Sequence, residues 1–432
     1  MTVEPPPHAP DEPIGLLSPQ PWMEATATRR VMAALTAEGA EVRFVGGCVR
    51  DSVLRRPVRD IDIATHDPPE RVMALLAKAG ITVIPTGIAH GTVTAVVDKE
   101  HFEITTLRRD VETFGRHARV AFTDDWSADA ARRDFTMNAM FADGQGNIYD
   151  PFDGLADLGA GLVRFVGDPI RRIEEDVLRL LRYFRFHAHY GRPPMDQAAL
   201  AACRRMAPKL ATLSGERVAG EMVRLMAAPD PTAVLLVMHG ARILEHLLPE
   251  AKAFGRLRVL TWLESRALAR PGVAPDPIRR LATVLETDAD GAAAVAGRLR
   301  LSNSETERLA AIARPAVEIT PEMQPKAARR ALYRVGADAF RDLTLTAWAD
   351  SRSRSERVKA EETARWTALL DEADAWRPVA PPVRGQDCLD LGLARGPAVG
   401  TLLAKVEHWW EDQDFRPGRD ECLAEMRRLA GK

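Results

Sequence analysis

Two carboxylates one residue apart, Asp60 and Asp62, lie in an apolar stretch with Ile61 and Ile63. Residues i and i+2 of a strand point to the same face, so these acids are expected to project together. Like charges that close repel unless a cation sits between them, and carboxylate oxygens suit a hard divalent ion. Just upstream, Val45-Gly46-Gly47-Cys48-Val49-Arg50-Asp51 reads as a Gly-Gly turn opening a short helix. Such a turn offers backbone N–H groups to a phosphate. Together the two stretches point to a site where a Mg²⁺-bound triphosphate is attacked. Each alone is weak, because Asp-x-Asp is common on surfaces and Gly-Gly is common in turns. The bland alternative is a turn followed by a solvated strand edge. Val53, Val58, Ile61 and Ile63 count against it, since a partly buried carboxylate pair needs a cation or a proton.

Further candidates follow in the chain. Glu103, in His101-Phe102-Glu103-Ile104-Thr105-Thr106, is a third carboxylate on a strand. It could act as a base toward a hydroxyl or help hold metal, or it could be an exposed strand glutamate. Arg132-Arg133-Asp134-Phe135-Thr136-Met137-Asn138-Ala139 suits triphosphate and ribose contacts, against a plain helix-start salt bridge. A helix from Ile173 to His189 carries Glu175, Asp176, Arg179, Arg182 and Arg185 among Leu180, Leu181, Phe184 and Phe186. Spacing by three sets these polar residues side by side on a helix that is otherwise apolar. A structural ion-pair ladder is one reading. The other is base selection: an Asp accepts and an Arg only donates. Asp176 with Arg179 could therefore take the amino donor and ring acceptor that cytosine and adenine share, and refuse uracil and guanine. His66-Asp67 reads as a helix cap, and Trp409-Trp410 as helix packing rather than base stacking.

These residues need elements to hold them. Short strands are expected at Val42–Val45, Ile61–Ala64, Thr92–Val97, His101–Leu107, Ile148–Tyr149 and Val163–Val166, with a hairpin turn at Asp98-Lys99. Helices are expected over 25–38, 48–54, 69–79 and 129–140, and residues 110–126 read as a loop. After Pro169 the strand signal fades and helices follow, including 197–206, 215–226, 232–248, 292–299, 325–351, 356–376 and 402–410. Ser304-Glu305-Thr306-Glu307 resembles a capping box, and Asp387 an N-cap.

With 432 residues the chain is long enough for two to four domains. It is 46% hydrophobic and 28% charged, with a mean hydropathy of -0.19, as in soluble globular proteins. A net charge of -2 means that any nucleic-acid surface must be local. Arg171, Arg172 and Arg204-Arg205 are where such a stripe would start. Cys48, Cys203, Cys388 and Cys422 have neither zinc nor disulfide spacing, which fits reduced thiols. The Pro-rich start has no signal-peptide pattern, and no apolar run approaches the ~18 residues of a span. A cytoplasmic protein with no membrane partner is expected.

Five motifs now stand in order. They are Gly46-Gly47-x-x-Arg50-Asp51, Asp60-Ile61-Asp62, Phe102-Glu103-Ile104-Thr105-Thr106-Leu107-Arg108, Arg132-Arg133-Asp134-Phe135-Thr136-x-Asn138-Ala139, and Glu175-Asp176-x-x-Arg179. Over about residues 40–230 the chain resembles the class II CCA-adding enzymes, tRNA nucleotidyltransferases related to bacterial poly(A) polymerases. The resemblance implies an α+β protein. A polymerase-β-like nucleotidyltransferase head on a small mixed sheet would precede an all-α neck, body and tail in a seahorse shape. The implied segments are a disordered arm (1–24), head (25–150), neck (151–230), body (231–330) and tail (331–432), the tail binding tRNA. Asp60 and Asp62 would be Mg²⁺ ligands, with Glu103 assisting catalysis. Gly46, Gly47, Arg50 and Arg133 would contact the nucleotide, and Asp176, Arg179, Arg182 and Arg185 would select C and A without a template. Ser214-Gly215-Glu216-Arg217 would brace the neck. Residues 110–126, with Gly115-Arg116, would be the loop that enables the switch from C to A. The implied reaction is addition of CCA to tRNA 3′ ends from CTP and ATP with release of pyrophosphate. A poly(A) polymerase or A-adding enzyme on the same fold is the rival.

Overall fold

The computed structural model describes residues 8–9, 11–114, 117–268, 270, 272–355 and 360–431. The chain divides into two compact units, Met1–Pro249 and Glu250–Lys432. The division falls inside the segment expected as body.

Among its described residues the first unit holds ten strands: β1 (Gly15–Leu16), β2 (Val42–Val45), β3 (Ile61–Thr65), β4 (Thr82–Gly87), β5 (Thr92–Val97), β6 (Glu100–Thr106), β7 (Arg108–Phe114), β8 (His117–Phe122), β9 (Phe141–Ala142) and β10 (Asn147–Tyr149). Eight form one sheet in the order β1-β10-β9-β2-β3-β6-β5-β4. Only β3 and β6 run parallel, and the other pairs are antiparallel, so the sheet is mixed as expected. Val45, Ala64, Leu107, Trp126 and Phe141 form one buried cluster of its core. Asp98 and Lys99 both take positive φ, 51° and 71°, which is what a two-residue hairpin between β5 and β6 requires.

Several expectations need correction. The arm is not disordered throughout: β1 pairs with β10, the helix Pro21–Glu24 follows, and Trp22 packs edge-on against Phe44 at 4.8 Å. Pairing covers an otherwise bare sheet edge, a gain that the Pro-rich composition hides. Residues 110–126 are not a loop. β7 and β8 form a separate two-stranded ribbon with a register shift between Asp110 and Glu112. That irregularity scrambles the alternation that would have announced strands. Gly115-Arg116 lies outside the described residues.

The helix expected at 129–140 is replaced by a helix over Trp126–Ala131 and a 3₁₀ turn over Thr136–Asn138. Asp134 uses its side chain on the Phe135 N–H, a local bond that competes with helix continuation. Val163–Val166 contributes only an isolated bridge between Phe135 and Phe165. The helix after His66-Asp67 has Pro68 as its N-cap without a side-chain cap, and Asp67 pairs with Arg71 at 3.0 Å instead.

The rest of the first unit is helical, and two of its helices matter most. The expected helix from Ile173 is two helices, Pro169–Glu175 and Leu178–Tyr190. Asp176 between them is extended, with φ -150° and ψ 107°. Its carboxylate captures the Leu178 N–H at 3.1 Å, which starts the second helix rather than continuing the first. Helix 232–248 is likewise shorter, Pro231–Gly240 followed by a 3₁₀ turn.

Among its described residues the second unit holds helices and one isolated bridge, Ala251 to Leu285. The capping box sits at Ser302 with Glu305, two residues before the expected start. Gly336 (φ 80°) divides 325–351 into Pro325–Val335 and Ala337–Arg354. Of 356–376, residues 356–359 lie outside the described residues and Ala360–Ala375 is helical. Asp387 is not the N-cap itself but the third residue of the helix Gly385–Asp390, where its carboxylate reaches back to accept from the Arg384 backbone N–H at 2.7 Å. Trp410 is buried in a cluster with Cys388, Val406 and Cys422, so packing is its role as expected.

One close approach fixes the 3₁₀ turn. The Thr136 hydroxyl donates to Asp157 at 2.5 Å, and a Cβ on Gly154 would stand 2.2 Å from the Thr136 carbonyl oxygen. Gly154→Ala should therefore cost on the order of 2 kcal/mol, read as a lower urea midpoint. It should also reduce catalytic turnover, because Asn138 shares that turn.

Candidate active site

The strand β2 delivers the chain to Gly46, whose φ of 71° a side chain would resist, and the helix Gly47–Val53 starts there. A Cβ at Gly46 would lie 3.5 Å from the Arg133 guanidinium, so the turn and that arginine face each other. Arg50 is buried. It donates to the Asn138 side-chain oxygen at 2.7 Å and to Asp51, and lies over the Tyr190 ring at 4.3 Å. The Cys48 thiol is buried and pushed up to about 12 by burial, so it stays protonated and is no nucleophile.

Asp62 is on β3, and Asp60 is the residue before that strand. In the parallel β3–β6 register Asp62 lies directly beside Glu103, so all three acids belong to one end of one sheet face. Burial pushes the Asp62 carboxyl up to about 6, helped by the charge of Glu103 and then Asp60, with Arg133 and Arg50 pulling the other way. Among the described residues no three such side chains already converge as a closed metal cage. The donor set is an unneutralised carboxylate cluster, half-buried at Asp62 and open at Asp60 and Glu103. That fits a hard cation that keeps part of its water.

Arg132 and Arg133 both bind the buried Asp129, each at 2.8 Å. The buried Asp134 accepts from Asn138 at 2.9 Å and from Arg182 at 2.7 Å. Burial raises both carboxyls, but their arginines outweigh it and hold them below the ordinary value of 3.8.

A cleft of about 470 Å³ brings these parts together with the two helices after Pro169. Eight expected site residues line it: Gly46, Gly47, Arg50, Asp62, Arg133, Asp176, Arg179 and Arg182. Asp60, Glu103 and Arg185 do not. Sequence reasoning left Asp134, Phe186 and Arg217 without a site role, although Asp134 sits in the motif already marked at 132–139, whose Asn138 also lines the cleft. Six arginines against three aspartates line the cleft, a surplus suited to a polyanion.

The spaced polar row is neither one ladder nor one helix face, because Asp176 sits in the break. Each member has its own partner: Asp176 with Arg217 at 2.7 Å, Arg179 with Glu175, Arg182 with Asp134, and Arg185 with Glu221 at 2.5 Å. Of the proposed basic stripe, Arg171, Arg204 and Arg205 are exposed. Arg172 turns inward to Glu175 and the Ala131 carbonyl.

Residues 42–164 match the family described as the poly A polymerase head domain, and 194–254 the probable RNA and SrmB-binding site of polymerase A. Fold and site therefore define a nucleotidyltransferase. The chain is 34% identical over 399 residues to the mitochondrial CCA tRNA nucleotidyltransferase 1 of Danio rerio, covering 89% of this chain and 87% of that one. It is 30% identical over 386 residues to the CCA-adding enzyme of Limosilactobacillus fermentum, covering 89% and 92%. The CCA-adding enzyme of Bacillus stearothermophilus, solved in complex with CTP, superposes with a TM-score of 0.78 at 26% identity, covering 95% and 98%. The chain belongs to the CCA-adding enzymes, the CCA tRNA nucleotidyltransferases.

Asp129 and Asp134 generate an acid-stability prediction. Their folded pKa values lie below the unfolded one, so their contribution is full above about pH 4. It is lost as pH falls through the folded values. Urea midpoints measured from pH 7 to pH 3 should drop at the acid end, and Asp129→Asn should flatten that drop while lowering stability at pH 7 by about 3 kcal/mol.

Proposed function

We propose that the protein adds CCA to tRNA 3′ ends from CTP and ATP without a nucleic-acid template, releasing pyrophosphate at each step. The observation that carries this reading is the single cleft where the Gly46-Gly47 turn and Asp62 meet Asp176, Arg179 and Arg182. Chemistry and base choice then occupy opposite walls of one space.

In this reading the N–H groups of the Gly46-Gly47 turn, with Arg50, Arg132 and Arg133, hold the triphosphate and fix its α-phosphorus toward the carboxylates. The primer 3′-hydroxyl attacks that phosphorus, a new P–O bond forms, and the bond to pyrophosphate breaks. The hydroxyl proton leaves toward Glu103 or solvent. Mg²⁺, held by Asp60 and Asp62, would lower the pKa of the attacking hydroxyl and neutralise charge on the leaving oxygen. Asp176 accepts from the amino group that cytosine and adenine share, and Arg179 donates to the adjacent ring nitrogen. Arg182 closes the same wall. Arg185 acts through Glu221 rather than on the base.

A poly(A) polymerase or A-adding enzyme would share the head, but relatives spanning most of the chain carry CCA addition in their names. No helix among the described residues is long and apolar enough to cross a membrane. Four buried, unpaired cysteines support a reducing compartment, read here as the cytoplasm.

Purified protein given tRNA lacking its last three nucleotides should incorporate C from CTP alone and A only after C. Growth from ATP alone would instead mark the polymerase. Asp60→Ala or Asp62→Ala should lower turnover by on the order of a thousandfold or more, since both carboxylates serve the transition state. Asp176→Ala and Arg179→Ala should change which nucleotide is incorporated, measured as kcat/KM for CTP and ATP against UTP and GTP. A fall in rate with base choice intact would remove base selection from these residues.

A further inference from the structure

Seven of the eight tryptophans are buried or partly buried, and Trp262 is 50% exposed. It ends the helix Phe254–Trp262 in the second unit. Arg258 lies one turn before it and Arg266 one turn after, both exposed. Neither makes an ion pair or hydrogen bond with a described residue, whereas Arg256, Arg270, Arg279 and Arg280 of the same unit are all paired.

The reason this face points outward lies beneath it. Leu263–Ala267 forms a π-helical turn, an uncommon geometry that tends to mark functional sites. Glu264 on that turn is buried and accepts from Arg279 at 2.8 Å and from Arg280 at 2.5 Å. Arg279 continues to Asp342 at 2.9 Å. The buried ion pairs fix the helix about its own axis from the inside. Trp262 and Arg266, two residues to either side of Glu264, are thereby held toward solvent.

A ring open to solvent between two unpaired cations has the parts that an RNA strand recognises, a platform for a base and charges for its phosphates. The residues matching the RNA-binding family end at 254, where this helix starts. We infer that the Arg258–Trp262–Arg266 face is an RNA-contact surface on which an unpaired base of the substrate stacks. The RNA is tRNA on the reading proposed above.

The test uses the full chain and tRNA lacking its last three nucleotides. As the most exposed tryptophan, Trp262 should dominate the acrylamide-quenchable fluorescence, and bound tRNA should shield it. Trp262→Ala should weaken tRNA binding about tenfold and raise the KM for tRNA equally, leaving the KM for CTP unchanged. Trp262→Phe should retain most of the affinity. Arg258→Gln with Arg266→Gln should make the salt dependence of tRNA binding shallower by about one to two in slope, and carries the test if Trp262→Ala fails to fold. Unchanged tRNA affinity in these variants, or quenching unaffected by tRNA, overturns the inference, as does shielding of Trp262 by concentration-dependent self-association without RNA. A wild-type protein that binds tRNA but adds no nucleotide would sink the proposed reaction and leave the quenching result to decide this surface.

Discussion

The Asp134 carboxylate is buried and shared among three donors from two parts of the chain. One oxygen accepts from the Phe135 N–H and the Asn138 amide, and the other from Arg182 on the helix Leu178–Tyr190. Asn138 in turn accepts from Arg50, at the foot of the Gly-Gly turn. A buried carboxylate is tolerated only while such partners surround it. The distance between the Gly-Gly turn and the helix Leu178–Tyr190 is therefore set by hydrogen bonds of 2.7–2.9 Å. The aromatic cluster of Phe135, Phe165, Tyr183 and Phe186 packs beside this chain and excludes the water that would otherwise compete for it.

The cleft is positive through surplus rather than through bare cations. Arg132 and Arg133 share Asp129, Arg179 has Glu175, and Arg217 has Asp176. Pairing holds each guanidinium in one direction, so little ordering remains to be done when an anion arrives. The carboxylates at this end of β3 and β6 lack such partners, and the raised pKa of Asp62 reflects its burial first and then the charges of Glu103 and Asp60. One end of the sheet face is thus prepared for a cation and the cleft for an anion.

Much of this was legible in the sequence. The strands carrying Asp62 and Glu103, the Gly-Gly helix start and the helical remainder follow from alternation, glycine placement and 3.6-residue periodicity. Two of the misses share a cause: side chains bonding to the nearby backbone. Asp134 and Asp176 each take an N–H one or two residues on and end a helix that the apolar pattern would continue. Neither bond leaves a trace in periodicity. The β7–β8 ribbon was hidden by its register shift, and β1 by the prolines around it. The Asp134–Arg182 pair spans 48 residues, and no local pattern encodes a partner that distant.

The break at Asp176 has a kinetic corollary. Its carboxylate already accepts from Arg217 and from the Leu178 N–H. On the proposed reading, a base reaching Asp176 replaces water on a carboxylate whose charge is already divided between two donors, so recognition adds little residence time beyond what the triphosphate contacts supply. Once pyrophosphate departs, those contacts go with it and the remaining grip on the base is weak. A pocket of that kind discriminates at the moment of reaction and then lets go, which suits a surface that must receive several nucleotides in succession.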